Sequence, residues 1–169
     1  MITKTRGFER ISFEQWHKDS GYILHDNCTP FDQLIKLPQR ATSYSAGYDI
    51  FSAYSFTLNP KESIKIPLGI KTYMLKDEFL MIVPRSGMGF KYFARLANTL
   101  GIIDSDYYNN SGNEGHLFIK IRNEGDIIPI FIKEGEAIAQ AIFQKYLLVD
   151  DDSPENKVRD GGLGSTTKS

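Results

Sequence analysis

The sequence predicts an all-β fold, a jelly roll or β-barrel, with a short helical N-terminal extension. Short segments in the middle of the chain alternate polar and apolar residues with the period of two that a half-buried strand requires. Turn signals separate these segments, for example Asn59-Pro60, Pro67-Leu68-Gly69 and Gly101. Many short strands divided by such turns are typical of barrels and jelly rolls.

The first part of the chain, residues 1–36, predicts a partly helical extension. Ser12 and Gln15 have the spacing of a capping box, and Ile11 and Trp16 have the spacing of a hydrophobic staple across the same helix start. Gly21 is expected to end this helix. We expect the extension to pack on the barrel; the alternative is that it contacts substrate or a partner.

Residues 37–149 are expected to form the barrel itself. Ser63–Ile66 alternates cleanly, and Leu117, Ile119 and Ile121 fall on one face of another strand. Two later segments, 126–133 and 137–149, are rich in Ile, Phe and Val and are bounded by glycines and an acidic run. These segments supply the apolar faces that a β core needs.

Residues 150–169 predict a flexible C-terminal arm. The segment is polar and ends in a glycine-rich stretch, 161–167, a composition that cannot bury itself. The acidic run 150–152 is interpreted as a solvated linker and not as a metal site.

Overall composition limits the possible functions. The 169 residues are enough for one domain, and 20 Lys and Arg against 21 Asp and Glu give a formal net charge of −1. This balance argues against direct nucleic-acid or membrane-surface binding, which needs a basic excess. The single cysteine, Cys28, excludes an intrachain disulfide, and no export signal is recognisable at the start of the chain. We therefore expect a cytoplasmic protein.

Five segments carry chemically useful residues. The strongest runs from Gly101 to Tyr107 and places Asp104 at the mouth of a hairpin. A Gly-rich turn, Pro84-Arg85-Ser86-Gly87-Met88-Gly89, combines a guanidinium, a hydroxyl and backbone N–H groups suited to phosphates. The others are Ala46–Ala53 with Asp49, Glu134–Gln140, and the Gly-rich tail.

In this order and spacing, the five segments resemble the five motifs of the homotrimeric dUTPase family, over about residues 34–167. Ser86 and Asp104 are 18 positions apart with Asn98 between them, which matches the family pattern. The resemblance implies a dUTPase-like jelly roll whose three copies share three active sites. It also implies Mg²⁺-dependent hydrolysis of dUTP to dUMP and pyrophosphate, which limits uracil in DNA and supplies dUMP for thymidylate synthesis.

The resemblance assigns the nucleoside end of the site. Asp104 is the expected general base, which activates the water that attacks the α-phosphorus. Tyr107 is expected to pack under the deoxyribose and to leave no room for a 2′-hydroxyl. Asn98 resembles the uracil-binding position, and Phe118 is expected to contact uracil through its backbone. Ile102 and Ile103 complete the expected substrate contacts.

The resemblance also assigns the phosphate end. Arg85, Ser86 and Gly87 resemble the phosphate-binding turn, joined by Gln140, and Asp49 resembles the acid that holds Mg²⁺ through water. The C-terminal arm is expected to close over the nucleotide. Its substrate-binding residues would be Arg159, Leu163, Gly164, Ser165 and Thr166.

The sequence departs from the family pattern at four places. Leu163 replaces the usual stacking aromatic, the spacing from Arg159 to Leu163 is one residue shorter, and Ala137 stands where an arginine is common. The fourth departure is an insertion, 108–116, interpreted as an extended hairpin loop, in which His116 is expected to be a surface or hairpin imidazole.

Three alternative functions share part of this pattern. A dCTP deaminase shares the fold but needs a glutamate near the base, for which Glu114 is the nearby candidate. A dUTPase-like regulatory protein would bind partners through the insertion or the extension. A non-catalytic shell protein leaves the five motifs unexplained.

Overall fold

The computed structural model describes residues 4–21 and 30–154, and short antiparallel strands dominate this part of the chain. The strands are β1 (Gly7–Arg10), β2 (Gln39–Arg40), β3 (Tyr48–Phe51), β4 (Phe56–Leu58), β5 (Ser63–Pro67), β6 (Ile70–Tyr73), β7 (Glu78–Pro84), β8 (Ala94–Leu96), β9 (Gly101–Asp104), β10 (Phe118–Asn123), β11 (Ile130–Ile132) and β12 (Ala137–Lys145). The helices are α1 (Phe13–Ser20), α2 (Phe31–Leu34) and α3 (Ser86–Tyr92), with a 3₁₀ turn at Ser105–Tyr107. The predicted all-β architecture is confirmed.

The strands form four sheets. The largest has the order β2-β3-β12-β7-β9, and a three-stranded sheet has the order β5-β10-β8. Strands β1 and β6 pair with each other, as do β11 and β4. Strand β12 pairs with β3 and β7, which are far from it in sequence, so the shape of this sheet depends on long-range pairing as well as on local connections.

The alternation in the sequence is used as predicted. In β10 the side chains of Ile119 and Ile121 are buried, with Leu117 directly before the strand, whereas Lys120 is exposed. Its partner strand β5 buries Ile66 and exposes Lys65. The exposed side chains of the two strands therefore lie on the same face of the sheet, where Lys120 is opposite Lys65.

One apolar core joins the sheets and the N-terminal extension. The five-stranded sheet contributes Leu80, Ile82 and Ala141, and the extension contributes Trp16 and Ile35. Burial of these side chains holds the extension to the barrel, each large residue contributing about 1.5–3 kcal/mol. No helix in the described ranges combines the length and apolar character needed to cross a bilayer.

The extension contains a strand as well as helices. Strand β1 pairs with β6 in antiparallel register. The sequence did not predict this strand, because a pattern of four residues is too short to distinguish a strand from a loop. Ser12 caps α1 by accepting from the Gln15 amide, and Gly21 ends it in the left-handed region with φ of 60°, as predicted. The reciprocal half of the capping box is absent from this helix start, since the Gln15 side chain donates to Asp19 instead.

His116 was expected to be a surface or hairpin imidazole, and the surface position is wrong. His116 is 0% exposed and lies between α1 and the turn that joins β5 to β6. The sequence placed it in a polar, Asn-rich insertion, where exposure is the ordinary expectation. The extension covers this insertion, and that long-range packing leaves no trace in the local sequence.

Candidate active site

A pocket of about 570 Å³ opens between β9 and β10 at the edge of the five-stranded sheet. The pocket is lined by six of the residues that the sequence predicts to bind substrate or to catalyse the reaction. They are Asn98, Ile102, Ile103, Asp104, Tyr107 and Phe118. A pocket of this volume lies in the usual range for small-molecule sites. The structure thus brings the predicted nucleoside end of the site together in one place.

Asp104 lies at the rim of this pocket. It is the last residue of β9 and comes directly before the 3₁₀ turn, so the strand ends with its carboxylate at the mouth of the hairpin. Its side chain is exposed, and the register pairs it with Phe79 on β7. A carboxylate in this position has access both to the pocket and to water.

Tyr107 forms part of the pocket wall and is 8% exposed. Its hydroxyl donates to the carbonyl of His116 at 3.1 Å and accepts from Asn113 Nδ2 at 2.8 Å. Both contacts hold the far end of the ring, while the ring itself borders the cavity.

The backbone of Phe118 faces the pocket. Leu117 exchanges hydrogen bonds with the β5–β6 side, donating to Ile70 and accepting from Leu68. Because successive residues of an antiparallel strand point their N–H and C=O groups to opposite sides, Phe118 directs its own groups the other way. On that side β8 ends at Leu96, and the pocket begins. A planar base could pair there as a further strand would.

Two lysines in the pocket wall were not predicted. Lys65 and Lys120 lie opposite each other on β5 and β10, and Lys65 Nζ lies 4.2 Å from the centroid of the Phe118 ring. The alternation of each strand put both lysines on polar faces. The pairing of β5 with β10 decides that they share one pocket, and no local pattern encodes that pairing.

Asp49, Arg85 and Gln140 form a second group, here called the phosphate-side cluster. Arg85 Nε lies 3.0 Å from Asp49 Oδ1, and Arg85 Nη1 donates to the carbonyl of Ala137 at 3.3 Å. Gln140 is opposite Asp49 in the β3–β12 register, and its Nε2 donates to the carbonyl of Pro84 at 3.2 Å. A Cβ at Gly47, just before β3, would overlap the end of the Gln140 side chain, so any larger residue there would displace the Gln140 amide.

The predicted Gly-rich turn is a helix start. Strand β7 ends at Pro84, Arg85 has an extended backbone, and Ser86 and Gly87 open α3. Ser86 and Gly87 are exposed, whereas Met88 is buried and anchors the helix to the core. The expectation of a turn was wrong because glycines suggested a loop, and the buried Met88 outweighs their low helix propensity.

The pocket and the phosphate-side cluster are separate within one chain. Asp104 pairs with Phe79, whereas Gln140 pairs with Val83, so their rows on β7 are four residues, or about 13 Å, apart. Asp49 lies on β3, three strands from β9, which adds about 14 Å across the sheet. The structure therefore does not join the two predicted halves of the site in a single copy.

The described residues fit a magnesium ion that arrives with its substrate better than a resident one. Among residues 4–21 and 30–154 there is no group of three or more His, Cys, Asp or Glu side chains that could hold a metal. Asp49 presents one carboxylate whose Oδ1 contacts Arg85. Mg²⁺ commonly keeps several waters and uses one or two carboxylates plus phosphate oxygens, so a single acid acting through water is sufficient.

The carboxylate of Glu114 is bound away from the pocket. Its Oε2 accepts from the Ser12 amide at 2.9 Å and its Oε1 from the Ser12 hydroxyl at 2.6 Å. The hydrogen bond from Ser12 lowers the pKa of Glu114 below its ordinary value. Glu114 does not belong to the described pocket lining, so it lacks the placement that a deaminase glutamate needs.

The remaining predicted contacts lie outside the described residues. They are Arg159, Leu163, Gly164, Ser165 and Thr166.

Comparison with known proteins identifies the relatives of the chain. The sequence profile of the dUTPase family matches residues 33–167. A deoxyuridine 5′-triphosphate nucleotidohydrolase of Lactococcus lactis subsp. lactis is 39% identical over 164 residues, covering 96% of this chain and 98% of the relative.

Solved structures agree with the fold. A dUTPase crystal structure from Streptococcus mutans superposes with a TM-score of 0.67 at 34% identity, covering 85% of this chain and 98% of that one. A dUTPase mutant from phage phi11 of S. aureus, described for the coordination of a structural Mg(II) ion, has a TM-score of 0.62 at 20% identity, with coverage of 91% and 99%. The jelly-roll-like fold predicted from the sequence is confirmed.

Proposed function

The chain belongs to the dUTPase family, and we propose that it is a dUTP diphosphatase that hydrolyses dUTP to dUMP and pyrophosphate by attack of water on the α-phosphorus. The observation that carries this proposal is the pocket that unites Asp104, Tyr107, Asn98 and the backbone of Phe118. By consuming dUTP and forming dUMP, the enzyme limits uracil in DNA and supplies thymidylate synthesis.

Asp104 acts as the general base. Its carboxylate at the pocket rim takes a proton from the attacking water as the water approaches the α-phosphorus. Its exposure supports this role, because a water can reach it without a rearrangement of the strand. The pocket fixes the nucleoside, so the α-phosphate extends toward this rim.

The pocket selects a uracil deoxynucleoside by shape and by backbone hydrogen bonds. Tyr107 packs under the sugar and excludes a 2′-hydroxyl, while Ile102 and Ile103 supply apolar contact. Asn98 and the backbone of Phe118 pair with the uracil edge. A cytosine would leave several buried donors and acceptors unpaired, at a cost of about 1–3 kcal/mol for each unpaired group, and a 5-methyl group would meet the wall.

Arg85, Ser86, Gly87 and Gln140 bind the triphosphate, and Asp49 would hold Mg²⁺ through water. The ion would neutralise phosphate charge. A hydrogen bond from Ser86 near the α–β bridge stabilises the negative charge that grows as pyrophosphate leaves. Residues 150–169, with Arg159, Leu163, Gly164, Ser165 and Thr166, are proposed to close over the nucleotide.

The distance between the pocket and the phosphate-side cluster supports a shared site in a homotrimer. One copy supplies the nucleoside pocket, and another supplies the phosphate-side cluster. The single chain also exposes large apolar side chains, a common sign of an interface. They include Phe90, Ile127, Phe131 and Leu147, each at least 69% exposed. We propose that the enzyme is cytoplasmic and binds neither nucleic acid nor membrane directly.

Pyrophosphate release from dUTP, UTP, dTTP and dCTP tests this function. Turnover should be fast with dUTP and lower by two or more orders of magnitude with the other three, as unpaired polar groups and steric clashes require. Ammonia release from dCTP at a rate comparable to dUTP cleavage would contradict the proposal. Equal rates with UTP would remove the role assigned to Tyr107.

A further inference from the structure

Residues 108–116, here called the insertion loop, are folded into compact turns with their own hydrogen bonds. Asn110 Oδ1 accepts from the amides of Gly112 at 3.0 Å and Asn113 at 3.1 Å. Asn113 Oδ1 accepts from Asn110 Nδ2 at 2.9 Å and from the Gly115 amide at 3.2 Å. The loop therefore has a defined shape.

The inner side of the loop holds Tyr107. Asn113 Nδ2 donates to the Tyr107 hydroxyl at 2.8 Å, and that hydroxyl donates to the His116 carbonyl at 3.1 Å. Asn110 Nδ2 donates to the Tyr107 carbonyl at 2.8 Å. The loop thus fixes both the backbone and the far end of the ring that borders the pocket.

The outer side of the loop is bound to α1. Glu114 accepts two hydrogen bonds from Ser12 at the start of α1, and His116 Nδ1 lies 2.5 Å from Asp19 near its end. The Gly69 amide donates to His116 Nε2 at 2.9 Å, which assigns the proton of the neutral imidazole to Nδ1. Residues at both ends of α1, Ser12 and Asp19, therefore bind the loop.

Further contacts tie the loop to the paired strands β1 and β6. The Tyr108 hydroxyl donates to Glu9 at 2.7 Å, and Lys71 Nζ donates to Asn109 Oδ1 at 2.6 Å. Glu9 and Lys71 are themselves opposite each other in the β1–β6 register. The extension and the insertion therefore form one connected support behind Tyr107.

Rejection of a 2′-hydroxyl by a ring requires that the ring cannot move away. A ring free to shift by a fraction of an ångström would accept the larger sugar at small cost, because a steric barrier is only as strong as the support behind it. We propose that Asn113 is a positioning residue that fixes Tyr107 through its hydroxyl, and that the insertion loop, braced by α1, thereby sets the preference for deoxyribose. This inference rests on the proposed function, which places the sugar against Tyr107.

The test compares kcat/KM for dUTP with kcat/KM for UTP on the same preparation of full-length enzyme, so that the fraction of folded protein cancels. Asn113→Ala should lower this ratio about 5-fold, the usual weight of one hydrogen bond. Tyr107→Phe, which removes the hydroxyl but keeps the ring, should lower it by a similar factor or more.

The double variant gives the decisive comparison. If Asn113 acts through the Tyr107 hydroxyl, Asn113→Ala should lower the ratio no further once Tyr107→Phe is present. The matched control is Ser111→Ala, which shortens an exposed side chain in the same loop. This control should keep the ratio within about 2-fold of wild type, because truncation of an exposed side chain usually changes stability by no more than about 0.5 kcal/mol.

Two results would overturn the inference while leaving the enzyme a dUTP diphosphatase. One is an unchanged ratio in Asn113→Ala, and the other is multiplied losses in the double variant. Absence of dUTP hydrolysis in the wild-type protein would instead overturn the proposed function, so the two failures are distinguishable.

Discussion

The pocket around Tyr107 and the cluster around Arg85 belong to the same molecule but are assembled differently. Most of the pocket comes from one stretch of chain, residues 96–120, folded back on itself between β8 and β10. The phosphate-side cluster draws Asp49, Arg85 and Gln140 from three distant segments that meet only through the β3–β12–β7 pairing. A local fold of one chain segment therefore forms most of the pocket, whereas the phosphate-side cluster depends on the whole sheet.

The two regions also differ in what their polar groups contact. In the pocket, the backbone of Phe118 faces the cavity, where the edge of a ligand could form hydrogen bonds with it. In the cluster, the charges of Asp49 and Arg85 satisfy each other, with side chains 17% and 41% exposed. Because Arg85 keeps much of its exposure, solvent screens this partly exposed pair and limits its contribution to about 1 kcal/mol, so a triphosphate could recruit Arg85 at small cost. In the proposed function, the pocket recognises the nucleoside, whereas Arg85 exchanges Asp49 for a phosphate group of the substrate.

Replacing Asp104, the proposed general base, should give the largest effect. Asp104→Asn keeps the size of the side chain but removes its proton-accepting charge, so kcat should fall at least about 100-fold while affinity for dUTP changes little. Steady-state kinetics and calorimetric titration with a non-hydrolysable dUTP analogue measure the two quantities. Asp106→Asn, the same change two residues away, is the control and should retain most of the turnover. Near-normal kcat in Asp104→Asn would remove Asp104 from the mechanism.

A smaller loss is expected in the phosphate-side cluster. Arg85→Ala removes the proposed charge-assisted hydrogen bond to phosphate, worth about 1.5–3 kcal/mol, so kcat/KM for dUTP should fall roughly 10- to 100-fold. Arg85→Lys keeps the charge but loses the planar fork and should recover only part of the activity. Binding of deoxyuridine, which has no phosphate, should be unchanged in both variants. A loss of deoxyuridine binding would show that the two regions are not separate.

The smallest expected effect concerns the support behind the pocket. Burial lowers the pKa of His116, partly opposed by its hydrogen bond to Asp19; Lys65 lowers it further and Glu114 raises it. Because the folded-state pKa lies below the ordinary value of 6.5, the stability from neutral His116 is present above that pH and is lost as pH falls through the folded value.

Thermal unfolding between pH 7.5 and pH 5, at fixed protomer concentration, measures this dependence. The melting temperature should fall by a few degrees, about 2–4 °C for each kcal/mol lost. His116→Gln should melt earlier at pH 7.5 but show a shallower fall, whereas the exposed His17→Gln should follow the wild type. Identical slopes for His116→Gln and wild type would assign the pH dependence to other groups.

The sequence predicted the strands for a physical reason, and six of the residues predicted for the nucleoside end of the site line one pocket, although their roles stay a prediction. Period-two alternation reports which face of a strand is buried, as in Ser63–Ile66 and Leu117–Ile121, and the residues of the pocket are close together in sequence. The packing of the insertion against α1 was not predicted, because it depends on contacts such as Ser12 with Glu114 and Asp19 with His116, about 100 positions apart. Local patterns carry no information about such pairs.

The same contacts bear on the regulatory alternative. The extension and the insertion loop, which the sequence offered as partner-binding elements, spend Ser12, Asp19, Glu114 and His116 on each other. A partner that used these side chains would first have to separate the loop from α1. Such a partner would therefore loosen the support of Tyr107 and change the discrimination between dUTP and UTP.

Subunit mixing tests most directly whether the pocket of one copy works with the cluster of another. Asp104→Asn and Arg85→Ala subunits, each expected to keep at most about one tenth of wild-type kcat/KM alone, are unfolded together and reassembled at equal concentration. If each site joins regions from two copies, random assembly gives both intact regions at about one quarter of the sites, and turnover should recover to about that fraction of wild type. Recovery no greater than the sum of the two separate variants would contradict the account and place both regions of each site in one chain.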